Sequence, residues 1–367
     1  KDVLDKRVEE AGVDSWYQLF EERAWAPKNP DMPTLYPFVL ATDINEQLKI
    51  AKRNPYYFKV DTEGNQLPYI DNMKWQDVTE ADVRVMKAMA GETDLDVVTS
   101  RTSDIPVLKQ NEASGNYETR FNQLSFLNGT GVTLYFNQTY TGDKNVKDIL
   151  KNKKFRQAMS IAINRDEINE FVSMGLADVR QAVMNDEHPA SGPELSSKFT
   201  QYDPETANKW LDEIGLDKRD KDGYRTLQNG EKFQLILSPP SNSSFRVDSG
   251  QIIKRHWEKV GVRTIVRPED GSLWTERRAS GEHQVSIYGN VGGFSGLNGW
   301  YFPVTSWCHF APLYGQYFTS NGEDGLKPEG KFAELLEIYE EASATKDPER
   351  RTELLHKTME MHTDYLW

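Results

Sequence analysis

Residues 1–24 predict one or two short helices, and the apolar positions that follow them in the first third of the chain mostly have the short period of strands. Between residues 38 and 58 apolar and polar residues alternate, which predicts strands. The stretch "KVDTEGNQLPYIDNMKW" predicts a hairpin with its turn at residues 63–65. Residues 80–90 predict a helix, "DLDVVTS" predicts a strand, and the β-prone run at residues 133–136 predicts a buried strand.

From residue 153 the apolar positions follow the period of helices. The stretch "KKFRQAMSIAINRDEINEFVSMG" places apolar side chains on two successive helical faces: Phe155, Met159 and Ala162, then Ile168, Phe171 and Val172. In "YDPETANKWLDEIG", Asp203 suits the N-cap, Pro204 the first turn and Gly215 the C-terminal stop. These signals predict well-bounded helices.

Strands and helices then alternate. "FQLILS" (233–238) predicts a strand, an apolar stripe through Ile253 and Trp257 predicts the next helix, and "VRTIVR" predicts a second strand after Gly261. This strand–helix–strand spacing implies a parallel crossover. "QVSIYGN" adds another buried strand, and two helices close the chain, the last of them capped at Asp347. The pattern predicts an α/β fold.

One stretch, "SIYGNVGGFSGLNGWYFPVTSW" (286–307), follows neither period. It combines more glycine than a turn needs with more ring surface than an ordinary loop carries, and it contains no acidic residue. Trp210, Trp257 and Trp274 lie elsewhere, on helical stripes that predict core packing. The 286–307 stretch is therefore the strongest candidate for a functional surface.

Composition narrows the class of protein. The chain has 367 residues, 37% of them hydrophobic, which is enough for two or more domains. Its net charge of −13 argues against a nucleic-acid partner. Cys308 is the only cysteine, so no internal disulfide forms. No apolar run reaches the length of a membrane span, and the first residues lack the apolar region of a signal peptide.

The chain shows no pattern of an enzyme or a metal site. Its six histidines form no His-Glu-x-x-His pair, so we expect neither a metal nor a cofactor. "GFSG" fails as a nucleophile elbow because Leu297 replaces the second glycine. Neighbours on an extended chain point opposite ways, which argues against a Cys308–His309 dyad. "DKRDKDGYRTLQNG" resembles a calcium loop, but its ligand pattern is incomplete and favours a hairpin turning at Asp222.

Four segments resemble one family. "RNPYYFKVDTEGNQLPYIDNMKW" (53–75) closely resembles a stretch of the family 5 solute-binding proteins, the extracellular receptors of peptide-type ABC transporters. "KKFRQAMSIAINRDEINEFVSMGLA" (153–177), "ANKWLDEIGLDKRDKDGYR" (207–225) and "GQYFTSNGEDGLKPEGKFAEL" (315–335) also look like this family, in the family's order. The resemblance covers most of the chain.

The resemblance implies an α/β, two-lobed, periplasmic-binding-protein-like fold of type II. Residues 1–136 would form part of lobe I, residues 133–137 the first crossover and residues 137–367 lobe II. Family members carry further residues before the point that matches Lys1 and after the point that matches Trp367. We therefore expect a fragment of a longer receptor, with lobe I incomplete and the leader missing.

By the same resemblance, the strand in "VSIYGN" would end at an uncharged cleft between the lobes, with the glycine-rich loop on its floor. Glycines let a ligand approach the backbone, and the rings would form apolar walls with few polar tips. Some peptide-binding relatives carry an aspartate near here, where this chain has Asn290. The candidate ligand-binding residues are Asn137, Ser243, Phe245, Tyr288, Asn290, Phe294, Trp300, Tyr301 and Trp307.

Several of these candidates have a structural alternative. Asn137 follows a buried strand, so it either caps the hinge or faces the ligand. Either Tyr288 or its neighbour Ile287 faces inward, because the two alternate on a strand. Trp300 and Trp307 lie in an irregular stretch and either contact the cleft or pack elsewhere. The loop at 241–245 precedes a helix, where α/β proteins gather ligand contacts, but it also fits an ordinary connection.

The resemblance implies a binding protein without catalysis. Such a receptor is extracellular or periplasmic, either free or anchored as a lipoprotein, and is a monomer at full length. It captures a peptide or an oligosaccharide by hinge closure and delivers it to an ABC permease in the membrane. A carbohydrate-active hydrolase with paired carboxylates is the alternative. A third possibility is an interaction domain whose aromatic surface contacts a missing segment.

Overall fold

A computed structural model describes residues 2–25, 29, 31–96, 102–120, 130–290 and 296–367 of the chain. The chain divides into two compact units. Unit 1 contains residues 1–97 and 111–117, and unit 2 contains residues 98–110 and 118–367. This division differs from the predicted lobe boundary at residue 136, because the strand at 130–136 pairs within the sheet of unit 2.

The helices of the described chain are α1 (Asp2–Ala11), α2 (Trp16–Ala24), α3 (Ala81–Met89), α4 (Ile105–Gln110), α5 (Glu112–Gly115), α6 (Lys144–Lys151), α7 (Lys153–Ile161), α8 (Arg165–Ser173), α9 (Pro193–Ser196), α10 (Pro204–Glu213), α11 (Ser244–Lys259), α12 (Gly271–Ala279), α13 (Pro312–Thr319), α14 (Lys331–Ala344) and α15 (Pro348–Tyr365). The strands are β1 (Phe38–Leu40), β2 (Leu48–Arg53), β3 (Asn72–Gln76), β4 (Thr130–Phe136), β5 (Gln234–Ser238), β6 (Arg263–Val266) and β7 (Val285–Asn290). A short 3₁₀ turn at Thr102–Asp104 precedes α4.

Unit 1 contains an antiparallel sheet in the order β1-β2-β3. The predicted turn before β3 is confirmed. Gly64 takes a positive φ of 86°, its N–H donates to the carbonyl of Asp61 over 3.2 Å, and Val60 bridges to Gln66. The helix predicted at residues 80–90 is α3. Of the strand predicted at residues 94–100, residues 94–96 form no strand and the rest lies outside the described residues.

Unit 2 contains a mixed sheet in the order β4-β7-β5-β6. β5 and β6 are parallel and joined through α11, which confirms the predicted crossover. β7 is parallel to β5, and β4 is antiparallel to β7. Because β4 lies at the margin of the sheet, one of its backbone edges has no neighbouring strand in the described chain.

The core of unit 2 packs α7, α10 and α11 against this sheet. Phe155, Phe233 and Trp257 are fully buried, and the rings of Phe155 and Phe233 meet at 5.9 Å between centroids. Each such side chain stabilises the fold by about 1.5–3 kcal/mol through burial. The indole N–H of Trp257 donates to the carbonyl of Met159 over 3.0 Å, which ties α11 to α7.

Capping residues define the helix ends as the sequence predicts. The Asp203 side chain accepts a hydrogen bond from the N–H of Thr206 over 2.9 Å, Pro204 begins α10, and Gly215 follows it with a φ of 88°. Asp347 caps α15 in the same way. The predicted apolar face of α8 differs in one respect: Ile168 packs on the core, whereas Phe171 is 72% exposed.

A second core lies between α14, α15 and the chain around residues 301–314. Tyr301, Phe302 and Phe310 are buried there, together with Leu335 of α14. Nε2 of His362, on α15, lies 2.8 Å from the carbonyl oxygen of Tyr301. The two closing helices are therefore anchored to the aromatic segment that precedes α13.

The predicted hairpin in "DKRDKDGYRTLQNG" is confirmed. Arg219 bridges to Arg225, and Gly223 takes a φ of 86° at the turn. The guanidinium of Arg225 is buried and forms an ion pair of 2.6 Å with Asp212 of α10. In the described part of the chain, no group of acidic, histidine or cysteine side chains is arranged to hold a metal ion. None of the described helices is both long and apolar enough to cross a bilayer.

Candidate functional site

The candidate site lies at the carboxyl-terminal side of the unit 2 sheet, where β5 ends beside the first residues of β7 and β7 continues along β4 to Asn290. Ser238 of β5 is opposite Ser286 of β7. β4 begins at this edge because it runs antiparallel to β7, with Thr130 opposite Asn290. From β5 the chain passes through residues 239–243 into α11. Binding contacts in α/β proteins gather at the carboxyl ends of parallel strands.

An aromatic cluster forms behind this edge. It consists of Tyr135, Trp274, Tyr288, Trp300 and the imidazole of His309. Tyr288 stacks on Trp274 at 5.0 Å and on Trp300 at 5.8 Å between ring centroids, with interplanar angles of 25° and 8°. The imidazole lies 4.9 to 5.3 Å from the other four rings. Offset stacking of this kind is favourable beyond the area that it buries.

Hydrogen bonds attach the cluster to the strands. The indole N–H of Trp274 donates to the carbonyl of Ser238 over 2.9 Å. The hydroxyl of Tyr135 donates to the carbonyl of Gly289 over 3.2 Å, and Oγ of Ser286 lies 3.1 Å from Nδ1 of His309. The rings are thus held at fixed positions relative to the ends of β5 and β7.

Burial sets the protonation of this region. It lowers the pKa of His309 well below its usual range, with smaller contributions from Arg278, His283 and Arg246, so the imidazole is neutral. Burial also raises the pKa of the Cys308 thiol far above neutrality. Because the thiolate is the nucleophilic form, this shift disfavours Cys308 as a nucleophile.

Two guanidinium groups lie against the rings. Cζ of Arg246 is 4.3 Å from the ring centroid of Tyr288. Cζ of Arg278 is 4.5 Å from the centroid of Trp307, and its Nη1 donates to the carbonyl of Ser306. Burial lowers the pKa of Arg278 to about 10, which still leaves it charged at neutral pH. Two cationic groups therefore lie beside Tyr288 and Trp307, where the sequence predicts an uncharged cleft.

A cavity of about 640 Å³ adjoins the cluster within unit 2. Residues 131–136 of β4 all line it, together with Phe245 and Trp300. Successive residues of a strand point to opposite faces, so this lining means that the cavity follows the edge of β4. Among the described residues that line it, Asp178 is the only carboxylate.

Two arginines, the buried Arg156 and the partly buried Arg165, contribute to the wall of this cavity. Nε of Arg156 donates to the carbonyl of Tyr365 over 2.7 Å, and Nη2 of Arg165 donates to Oγ of Ser160 over 2.7 Å. Burial lowers the pKa of Arg156 to about 9 and that of Arg165 to about 10. Both remain cations at neutral pH, and their hydrogen bonds go to neutral oxygens.

Comparison with known families identifies this architecture. The family model described as "Bacterial extracellular solute-binding proteins, family 5 Middle" matches residues 11–308. The chain belongs to this family. The match includes the strands of both sheets, the first four residues of the aromatic cluster and the whole of α11.

The family 5 chain is similar to curated binding proteins of two kinds. It is 24% identical over 351 residues to the periplasmic alpha-galactoside-binding protein of Rhizobium meliloti strain 1021, covering 91% of this chain and 49% of the relative. It is 22% identical over 235 residues to the oligopeptide-binding protein AppA of Bacillus subtilis strain 168, covering 63% and 38%. The chain spans about half the length, or less, of these relatives.

Solved structures show the same fold. The oligopeptide-binding protein OppA is 30% identical with a TM-score of 0.66, over 96% of this chain and 58% of OppA. The periplasmic binding protein MelB of Agrobacterium fabrum C58, solved with stachyose, is 20% identical with a TM-score of 0.69, over 96% and 53%. The two-lobed α/β class predicted from the sequence agrees with these structures.

Four of the predicted ligand-binding residues of the family 5 chain lie at the described sheet edge. Tyr288 and Trp300 belong to the aromatic cluster. The Phe245 ring lies so close to Gly131 that a Cβ there would come within 2.8 Å of it, which explains the glycine. Ser243 is the half-buried N-cap of α11 and makes no side-chain capping hydrogen bond.

The other predicted residues lie elsewhere or only beside this edge. Asn137 is fully buried, and its amide bonds to the carbonyls of residues 281 and 283, which favours the capping alternative. Tyr301 is fully buried in the second core instead of lining a wall. Trp307 is 49% exposed over Arg278. Asn290 ends β7, and Phe294 lies outside the described residues.

Several residues of the site escaped the sequence analysis. Trp274 is buried as predicted, but its stacking on Tyr288 was not foreseen because α12 and β7 meet only in the tertiary structure. Tyr135 and His309 carried no separate signal. Arg246 directly follows the loop at 241–245 that was singled out, and only the structure shows its guanidinium over a ring.

Proposed function

We propose that this family 5 chain is the ligand-binding part of a substrate-binding protein of an ABC importer. It takes a peptide or an oligosaccharide and leaves it chemically unchanged. The observation that carries the proposal is the set of fixed, stacked rings at the carboxyl edge of the sheet, beside a cavity of about 640 Å³. Ring-lined concave surfaces with few polar groups are typical of small-molecule sites.

The relatives support both ligand classes. MelB was solved with stachyose, and a Thermotoga maritima oligopeptide-binding protein was solved with mannohexaose. AppA of Bacillus subtilis was solved with a nonapeptide. For this chain, the permease partner, hinge closure between two lobes, the monomeric state, the extracellular or periplasmic location and the lipid anchor all belong to the proposal.

A carbohydrate-active hydrolase is not favoured by the geometry. Glycoside hydrolysis generally needs a pair of carboxyl groups facing each other at about 5–9.5 Å. Asp178 is the only carboxylate among the described residues lining the cavity, and segment 286–307 contains none. The rings can therefore hold a sugar, but a second carboxylate to cleave it is missing from this surface.

Titration with three ligand types tests the proposal. The chain is titrated with stachyose, mannohexaose and a nonapeptide while its tryptophan fluorescence is recorded, and each ligand is recovered for mass spectrometry. We expect at least one saturable response at 1:1 stoichiometry, with the ligand mass unchanged. The same titration of the urea-unfolded chain is the control. Hydrolysis products, or no response to any ligand, would contradict the proposal.

A further inference from the structure

The guanidinium of Arg246 has no anionic partner in the described part of the chain. It makes no hydrogen bond or ion pair with any residue that the structure describes, and its Nε is buried without a partner. Its contact is the face of Tyr288, at 4.3 Å from the ring centroid. A guanidinium carries five N–H donors, and a half-buried one normally has them satisfied.

Other arginines nearby show the ordinary arrangement. Arg255, on the same helix α11, forms an ion pair of 2.7 Å with Glu167. Arg263 of β6 pairs with Asp220 over 2.9 Å. Nε of Arg263 is also buried without a partner, so what distinguishes Arg246 from these two arginines is that its guanidinium forms no ion pair, in a chain whose net charge is −13.

Three described segments at this edge contain no acidic residue. Residues 130–136, 239–245 and 286–290 have no Asp or Glu among them, and Glu269, which bridges to Pro240, is already paired with Arg267 and Arg277. Arg246 also lies in the first turn of α11, where the positive end of the helix dipole adds to its charge. Positive potential accumulates at the candidate site without a negative group from these segments to offset it.

The contact with Tyr288 leaves the guanidinium suited to a planar anion. Stacking on the ring occupies a face of the guanidinium plane and fixes its orientation. The N–H groups lie in that plane, and two of them together match the two oxygens of a carboxylate. A ring-stacked arginine is thus a preorganised carboxylate receptor.

We propose that Arg246 binds a carboxylate of the ligand, so that this protein selects acidic ligands over neutral ones. The carboxylate belongs either to a uronic acid of an oligosaccharide or to the free C-terminus of a peptide. This inference rests on the proposed function, because it concerns the same site. Arg246 acts as a specificity-determining residue that contacts the ligand.

Matched ligand pairs test the inference. The chain is titrated calorimetrically with trigalacturonate and its methyl ester, with tetraalanine and its C-terminal amide, and with stachyose. We expect one acidic ligand to bind at least about tenfold more tightly than its neutral partner, because a charge-assisted hydrogen bond contributes a difference of this size. The acid that binds identifies the source of the carboxylate. The affinity of the acidic ligand should fall with added salt, whereas the affinity of its neutral partner should not change.

Variants on α11 separate recognition from folding. Arg246→Gln is expected to bind both members of the pair equally, and Arg246→Lys to keep part of the preference, since it retains the charge without the planar fork. Lys254→Gln removes a positive charge from the same helix and should keep the full preference. Thermal unfolding verifies that each variant is folded.

The outcomes distinguish this inference from the proposed function. If the wild-type chain binds stachyose or the neutral partners as tightly as the acids, the inference is wrong and the proposed function stands. The same holds if folded Arg246→Gln keeps the preference for the acid. If the wild-type chain binds none of the five ligands, the proposed function itself is contradicted, and the inference with it.

Discussion

The imidazole of His309 lies among four aromatic rings and is neutral because burial lowers its pKa. A charged imidazole there would need a counterion, and the rings provide none. Cys308 is likewise held as an uncharged thiol. The charges next to the rings are therefore those of Arg246, which is partly buried, and Arg278, which is fully buried, and both remain protonated.

Tyr301 and Trp307, both predicted to line the ligand-binding cleft, differ sharply in burial. Tyr301→Ala should lower the free energy of unfolding by about 3–5 kcal/mol, because the removed ring is fully buried. Trp307→Ala should cost about 1 kcal/mol, because the indole is half exposed and packs mainly on Arg278. Urea unfolding of both variants measures the difference. Equal costs would contradict the placement of Tyr301 in the second core.

Buried histidines make stability depend on pH. Burial lowers the pKa of His362 from 6.5 to about 4, so the unfolded chain takes up this proton at a higher pH than the folded chain. The free energy of unfolding should therefore begin to fall as pH drops through 6.5 and continue falling down to about 4. From pH 7 to pH 5 the loss attributable to His362 is about 2 kcal/mol.

The variant His362→Gln isolates this contribution. Its amide N–H can replace the contact of Nε2 with the carbonyl of Tyr301, and it does not titrate. Urea unfolding at pH 7 and pH 5 should show a smaller loss for the variant than for the wild type. The same loss in both proteins would show that His362 is not the group responsible.

At the level of elements, strong local signals predicted most of unit 2. The pattern from β5 through α11 to β6 has an apolar strand, an amphipathic helix ended by glycine and a second strand, and all three form as expected. The local pattern did not predict which side chains are buried where this depends on tertiary packing. Phe171 satisfies the helical period of α8 but is left exposed.

The N-cap of α7 provides a test at this scale. The side chain of Asn152 accepts hydrogen bonds from the N–H groups of Lys154 and Phe155 over 2.9 and 3.3 Å. Asn152→Ala should lower the free energy of unfolding by about 1 kcal/mol, because it removes the cap. Asn152→Asp keeps the acceptor and should stay within a few tenths of the wild type. Urea unfolding checks both, and an unchanged Asn152→Ala would contradict the cap.

The candidate site was predictable only in part. Tyr288, Trp300 and Phe245 come from stretches that stand out by their glycines, rings or position before a helix. The cluster that they join is assembled from β4, α12, β7 and residue 309, and no local pattern connects these segments. The position of Arg246 over Tyr288 likewise depends on how α11 packs against the sheet.

At the scale of the whole molecule, motifs in family order indicated the family that the comparison with family models confirms. They did not predict the compact units. β4 was placed with the first part of the chain, yet it pairs with β7, about 150 residues further on, within unit 2. A pairing so distant in sequence leaves no trace in the periodicity of either strand.

The central claim is that the stacked rings bind the ligand. The affinity of a chain that lacks one of these rings tests this claim most directly. Any ligand that changes the tryptophan fluorescence in the titration with stachyose, mannohexaose and the nonapeptide is then titrated calorimetrically into the wild type and into Trp300→Ala. The control is Trp210→Ala, which removes a half-buried indole on α10. We predict at least about tenfold weaker binding for Trp300→Ala, unchanged binding for Trp210→Ala, and a ligand recovered intact. Full affinity in a folded Trp300→Ala chain, or a cleaved ligand, would contradict the account.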